Sequence, residues 1–162
     1  MMKLARREHA FLLACWLFLS LGASAEDPAT KQIGICKTNS GVMSVVVFDA
    51  KGTEGVALLL DDKIKKSHVQ VLLKEAEFRK FVNGIRVAAT TMKKVKENES
   101  RFVANYKGSG EISIAVMNKP PMGQAVLLEL IQDDKNGLFL LTSKELADFE
   151  DLLTKATRTS SH

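Results

Sequence analysis

Apolar residues along this chain follow two patterns, alternation with a period of two and spacing at three or four residues. Alternating segments separated by turn-rich groups predict four β-strands, at 33–38, 42–48, 56–60 and 69–73. Helical spacing of Phe78, Phe81, Ile85 and Met92 then predicts an amphipathic helix over 75–93. The first half of the chain therefore has the order ββββα.

The second half of the chain repeats this order. Residues 69–89 align with 137–157 at a constant offset of 68, which pairs Leu72 with Leu140 and Phe81 with Phe149. At an offset of 69, three further segments align: 41–49 with 110–118, 56–59 with 125–128, and 33–38 with 102–107. An internal repeat of this length determines the fold more strongly than local propensities do.

The sequence thus predicts an α+β fold of two tandem ββββα repeats, at about 32–97 and 100–157. Each repeat forms an antiparallel sheet with one amphipathic helix, and a pseudo-twofold axis relates the two within one domain. We expect 26–31 to be a flexible leader and 158–162 a disordered tail.

Both faces of each predicted sheet are substantially apolar. In the second strand Met43 and Val45 share one face, and Val46 and Phe48 share the other. We assign six residues of the third and fourth strands to this second face: Val56, Leu58, Leu72, Ala125, Leu127 and Leu140. One helix covers only one sheet face, so we expect the companion repeat or another subunit to cover the other, which predicts a homo-oligomer.

The start of the chain has the composition of a secretory signal peptide. Basic residues at 3–7 precede an apolar stretch over 10–21, and small residues at 23–25 fit a cleavage site after Ala25. The apolar stretch is too short to span a bilayer. We therefore expect a periplasmic or secreted protein without a membrane span.

Removing this leader changes the charge and the cysteine count. Without Lys3, Arg6, Arg7 and Glu8, the net charge falls from +4 to +2, which weakens any bulk attraction to nucleic acid. Cys36 becomes the only cysteine, so no intramolecular disulfide can form. We interpret it as a buried hydrophobe, with an intermolecular bridge as the alternative.

Little in the sequence indicates catalysis. After the leader only His68 and His162 remain, which leaves a histidine metal cluster and a serine–histidine triad almost unsupported. The aspartate pairs 61–62 and 133–134 are typical of turns; a hydrolase that uses them is the weakest hypothesis. We predict no enzyme activity, cofactor or metal. Asn98 begins a glycosylation sequon, which matters only in a eukaryotic secretory pathway.

Basic residues form local clusters despite the balanced total. We single out Lys63, Lys65, Lys66 and Lys107 as candidate binding residues, with Phe48 and Tyr106 as aromatic partners. Phosphate-binding surfaces combine such lysines with aromatic side chains on which bases stack. The simpler interpretation is a solvated loop, since charge runs are common on protein surfaces.

The duplicated ββββα unit, over about 32–156, resembles the whirly and Pur-alpha-like group of single-stranded nucleic-acid-binding proteins. The resemblance is one of topology, and it implies two units packed into one domain. Our leading hypothesis is an exported, non-enzymatic protein that binds a protein or ligand in the envelope or outside the cell. Single-stranded nucleic-acid binding is the alternative, which export disfavours.

Overall fold

The structure is a computed structural model, and it describes residues 29–50 and 53–160. The predicted signal peptide at 1–25 lies outside the described residues, as do residues 26–28 of the predicted leader. Among the described helices, none combines the length and apolar character needed to cross a membrane.

Eight strands and two helices follow one another in the predicted order. The first repeat contains β1 (Ala29–Lys37), β2 (Gly41–Ala50), β3 (Thr53–Asp62), β4 (Ser67–Lys74) and α1 (Glu75–Met92). The second repeat contains β5 (Ser100–Lys107), β6 (Glu111–Lys119), β7 (Gly123–Gln132), β8 (Lys135–Thr142) and α2 (Ser143–Thr159). Helix α2 begins at the capping box of Thr142 and Glu145, in which the two side chains satisfy free amides of the first turn.

The strands form two antiparallel sheets, with the orders β1-β2-β3-β4 and β5-β6-β7-β8. A helix follows each sheet, which confirms the predicted α+β fold with a duplicated ββββα layout. The edge strands β1 and β5 each contain a bulge, at Ile33 and Val103 respectively, where the pairing register shifts. Bulges at equivalent positions show that the duplication extends to local irregularities.

Strand register corrects part of the sequence alignment. Leu58 pairs with Val45 and Leu128 pairs with Ile114, so the third strands align at an offset of 70 and not 69. The first strands also align at 70, since Gly34 and Ala104 pair with those same β2 and β6 residues.

This shift moves two side chains to the other sheet face. Residues directly paired across a sheet share a face, and a slip of one residue reverses the face. Val56 and Leu58 therefore lie on the core face beside Val45 and Val47, and our assignment of them to the second face was wrong. Ala57 and Leu59 occupy the second face instead.

The helices are exchanged between the repeats. Helix α1 packs most extensively against β5 and β6 of the second sheet, and α2 against β1 and β2 of the first. On the α1 side the ring of Tyr106 meets Phe81 edge-on, with centroids 5.7 Å apart. On the α2 side the Cys36 thiol lies 3.9 Å from the carbonyl oxygen of Glu145. One continuous core therefore contains both helices and the inner faces of both sheets.

Side chains of each repeat cap the free edge of the other repeat's last strand. The Ser40 hydroxyl accepts a hydrogen bond from the Leu140 amide of β8, and Ser109 accepts one from the Leu72 amide of β4, both at 2.9 Å. A second pair of caps follows the same symmetry: Asp62 accepts from Leu138, and Gln132 accepts from Gln70. These exchanged contacts give the pseudo-twofold relation an atomic basis.

Both ends of the ordered domain extend further than the sequence predicts. Strand β1 begins at Ala29, inside the predicted flexible leader, because the long β2 offers it pairing partners as far as Asp49. Helix α2 continues to Thr159, and Ser160 behind it is buried, so residues 158–160 are not a disordered tail.

Candidate interaction surface

The three clustered lysines lie on the turn between β3 and β4. Lys63, Lys65 and Lys66 are all exposed. Asp62 stabilises this turn, because its fully buried carboxylate accepts hydrogen bonds from the amides of Ile64 (2.7 Å) and Lys65 (3.0 Å). This geometry confirms the predicted turn chemistry for Asp62, and it presents the lysines to solvent.

The two aromatic candidates do not lie beside these lysines. Phe48 is 5% exposed and packs against Gly55 at the far end of the first sheet. Along β2 it lies about 23 Å from Gly41, which pairs with Asp62 beside the lysine turn. Tyr106 lies in the core between Phe81 and Gly84. Neither ring has the open face that base stacking requires, so the predicted combination of lysines and aromatics is not assembled.

Lys107 lies on the outer face of the second sheet. It is exposed at the end of β5 and is paired with Glu111, whose carboxylate accepts a hydrogen bond from the Asn105 side chain. On this face, Lys107 is accompanied by an aromatic residue that the sequence did not single out.

That residue is Phe102, whose side chain is 69% exposed, the highest value among the exposed large hydrophobic residues of the described chain. Phe102 begins a cross-strand row that continues through Ala115, Leu127 and Leu140, because each of these residues pairs directly with the next. We call the outer surface of the second sheet centred on this row the Phe102 face. All four members of the row are partly or largely exposed.

The bulge explains why the sequence did not reveal Phe102. Strict alternation along β5 places Phe102 on the same face as Ala104 and Tyr106, which point to the core. The extra residue, Val103, reverses the orientation and turns Phe102 outward. The only signal in the sequence was the aromatic side chain of Phe102 itself, two residues before Ala104, which is the equivalent of Gly34.

The rest of the Phe102 face is mixed in character. Met117 extends the apolar surface on one side of the row, and Leu138 extends it on the other, beside Ser113 and Glu129. Charged residues lie at the two ends of β6, Glu111 at its start and Lys119 at its end. An apolar centre with charges at its ends resembles the composition of a protein interface.

Two titratable groups are perturbed, and both belong to the core. Burial raises the pKa of the Cys36 thiol to about 11, with smaller contributions from Glu145 and Asp148. Burial and the nearby Glu77 raise the pKa of Tyr106. Both groups are held in their neutral forms at neutral pH. The described part of the chain contains no cluster of three or more histidine, cysteine or acidic residues that could hold a metal.

His68, one of the two histidines that remain after the leader, is exposed and lies in β4. Its Nδ1 is 3.4 Å from the Asp61 carboxylate.

The protein-family models give no match to this chain, and the curated proteins give no significant match.

Proposed function

We propose that this chain is an exported, non-enzymatic interaction protein that binds a partner in the cell envelope or outside the cell through the Phe102 face. The observation that carries the proposal is the 69% exposure of Phe102 at the end of an apolar cross-strand row. Exposed large apolar patches on soluble proteins commonly mark binding sites.

The energetics of burial support this assignment. Burying one large apolar side chain contributes roughly 1.5–3 kcal/mol, and aromatic residues are enriched among the residues that dominate interface energies. Leu127 and Leu140 continue the row on β7 and β8 and are already partly covered, so a partner that covers the whole row also completes their burial.

The composition of the face suits contact better than turnover. Apart from Glu129, its central side chains are aliphatic, aromatic or neutral, and the Glu111 carboxylate is engaged by Asn105. General acid–base catalysis needs a titratable group with an adjusted pKa within reach of a substrate. The two perturbed groups of the described chain, Cys36 and Tyr106, are buried away from this face.

Affinity capture tests the proposal. Mature protein beginning at Glu26 is immobilised and exposed to an envelope extract, and captured proteins are identified by mass spectrometry. We expect Phe102→Ser to abolish specific capture, whereas Val87→Ser, a change at an exposed residue of α1, leaves it unchanged. Equal capture by both variants, or substrate turnover that survives purification, contradicts the proposal. Mass spectrometry of the secreted chain checks the cleavage after Ala25.

Single-stranded nucleic-acid binding is the second candidate. Phe102 and Lys107 lie on one open sheet face, which combines a stacking surface with a phosphate contact. The resemblance of the topology to the whirly and Pur-alpha-like group also favours it. Fluorescence anisotropy with labelled oligonucleotides tests this candidate.

Binding of this kind must weaken steeply with salt, since contacts to phosphates release counterions. We expect Phe102→Ser and Lys107→Ser each to reduce affinity about tenfold, with Lys94→Ser as a matched control on another exposed surface. Stacking contributes roughly 1–3 kcal/mol per base, which corresponds to this factor. Binding that is insensitive to salt excludes the candidate.

A further inference from the structure

We infer that the Phe102 face binds a second copy of this chain, so that two molecules pack sheet to sheet around a twofold axis that crosses the strands. This inference rests on the proposed function, because it names the partner of the same surface. Two features carry it: the placement of opposite charges on β6 and the area of the face.

The charges on β6 are placed symmetrically about the apolar row. Ala115 belongs to the row, Glu111 lies four residues before it and Lys119 four residues after it. Strand alternation puts all three residues on the outer face. Both charged side chains are at least partly accessible, and Lys119 is exposed.

A twofold axis perpendicular to the strands through this row reverses the direction of β6 in the second copy. Phe102 then faces its own equivalent, and Glu111 of each copy lies opposite Lys119 of the other. Such an isologous interface must be complementary to itself, which this charge order satisfies. A different partner does not require opposite charges at equal distances from the apolar row, so the symmetry favours a second copy.

The area of the face is sufficient for a weak dimer. Four strands at about 4.8 Å spacing and nine residues at about 3.3 Å give a surface of roughly 570 Å² per copy. Two such surfaces bury about 1,100 Å², near the lower limit for a specific interface. We therefore expect a reversible dimer with a dissociation constant in the micromolar range. Stacked sheets pack about 10 Å apart at a small angle, which leaves room for the facing side chains.

Charge reversal provides the sharpest test. Sedimentation velocity of the mature protein, over the micromolar range, measures the dissociation constant. Glu111→Lys and Lys119→Glu each place two like-charge pairs in the dimer, and we expect each to weaken it at least tenfold. The double variant restores opposite pairs and regains wild-type association. An equimolar mixture of the two single variants also associates, because both contacts become attractive in the heterodimer.

Matched changes away from the face serve as controls. Lys94→Glu alters charge equally and leaves the dimer intact, whereas Phe102→Ser abolishes it while circular dichroism shows an unchanged fold. A monomeric wild-type protein throughout the range overturns the inference, as does a double variant that stays as weak as the single variants. Salt dependence of the wild-type dimer supports the charge contacts.

Failure of this inference is distinguishable from failure of the proposed function. Phe102-dependent capture of an envelope protein by a monomeric wild-type chain overturns the inference and leaves the proposed function in place. A Phe102-dependent dimer with restoration by charge reversal supports the inference whatever the extract contains. Oligonucleotide binding that depends on Phe102, by a chain that remains monomeric, overturns the inference in favour of the second candidate.

Discussion

Gly84 shows how a residue that is unfavourable for helix formation is required by packing. Glycine inside a helix costs about 1 kcal/mol relative to alanine. In α1, however, a Cβ at position 84 would collide with the hydroxyl of Tyr106. In the other repeat the sizes are reversed: Leu152 of α2 lies against Gly34 of β1. Each helix–sheet contact thus pairs one large residue with one glycine.

We predict that Gly84→Ala destabilises the protein by about 2 kcal/mol, although helix propensity alone predicts a gain. The added methyl group overpacks the contact with Tyr106, and overpacking typically costs 1–3 kcal/mol. Urea unfolding followed by circular dichroism measures the change. Tyr106→Phe in the same chain removes the colliding hydroxyl and should recover part of the loss. Stabilisation by the single change contradicts this account.

Cys36 makes stability depend on alkaline pH. Its pKa is raised from 9.0 to about 11 in the folded protein, so between these values the unfolded thiol loses its proton and the folded one keeps it. Ionisation therefore favours the unfolded state, and stability falls by up to about 1.4 kcal/mol per pH unit in this window. Below pH 9 the thiol keeps its proton in both the folded and the unfolded state, so the protein retains its full stability there.

Comparison with Cys36→Ala isolates this contribution, because all other titratable groups are the same in both proteins. We expect the difference in unfolding free energy between the two proteins to be constant at lower pH. It should shift in favour of the variant as the pH rises through the window. Parallel pH profiles for the two proteins would contradict the raised pKa.

At the scale of strands, side-chain hydrogen bonds from the other repeat satisfy the free edge of each sheet's last strand. The last strands β4 and β8 have one edge without a strand neighbour, and unpaired edge amides are costly when buried. Ser40 and Asp62 satisfy amides of β8, while Ser109 and Gln132 satisfy amides of β4. Each repeat therefore completes the hydrogen bonding of the other.

We predict that Asp62→Ala lowers the free energy of unfolding by about 3 kcal/mol. The change removes the acceptor for three amides, those of Ile64, Lys65 and Leu138, and unsatisfied buried donors cost about 1–3 kcal/mol each before relaxation. Hydrogen exchange at the Leu138 amide should accelerate as well. Asp61→Ala is the matched control: its exposed contact with His68 contributes less than about 1 kcal/mol. Equal losses in the two variants would contradict the capping role.

The order and type of the elements could be predicted from sequence, because hydrophobic periodicity and the repeat indicate the same arrangement. The bulges could not, since nothing in the alternation of β5 indicates that Val103 is an extra residue. This omission hid Phe102, whereas the first strands were misaligned by one residue because the β1–β2 turn is one residue longer than the β5–β6 turn. Alignment by similarity of short apolar segments placed Val56 opposite Ala125, whereas pairing places Val126 there.

The exchange of helices was also beyond the sequence, because the apolar stripes on α1 and α2 have the same spacing and fit either sheet. The choice is made by the fit of particular residues, such as Tyr106 with Gly84. In the whole molecule, this exchange joins the repeats into one core, and neither sheet has its inner face covered without the other repeat. The repeats should therefore be unable to unfold separately.

This coupling predicts a single unfolding transition, in which signals from the two helix–sheet contacts change together. Tyr106, the only tyrosine, reports through its fluorescence on α1 and the second sheet. The reactivity of the Cys36 thiol reports on α2 and the first sheet. In mature protein we expect both signals to change at the same urea concentration, as a two-state unit requires.

Large-to-small changes in either helix should shift both probes together. Phe81→Ala in α1 and Phe149→Ala in α2 each remove a fully buried ring, at a cost of about 3–5 kcal/mol. If the repeats were independent, Phe149→Ala would lower the midpoint of the Tyr106 signal, which belongs to the same repeat, and leave that of Cys36 unchanged. The exchanged packing requires instead that each variant lowers both midpoints equally, because loss of either helix uncovers a core that the two sheets share.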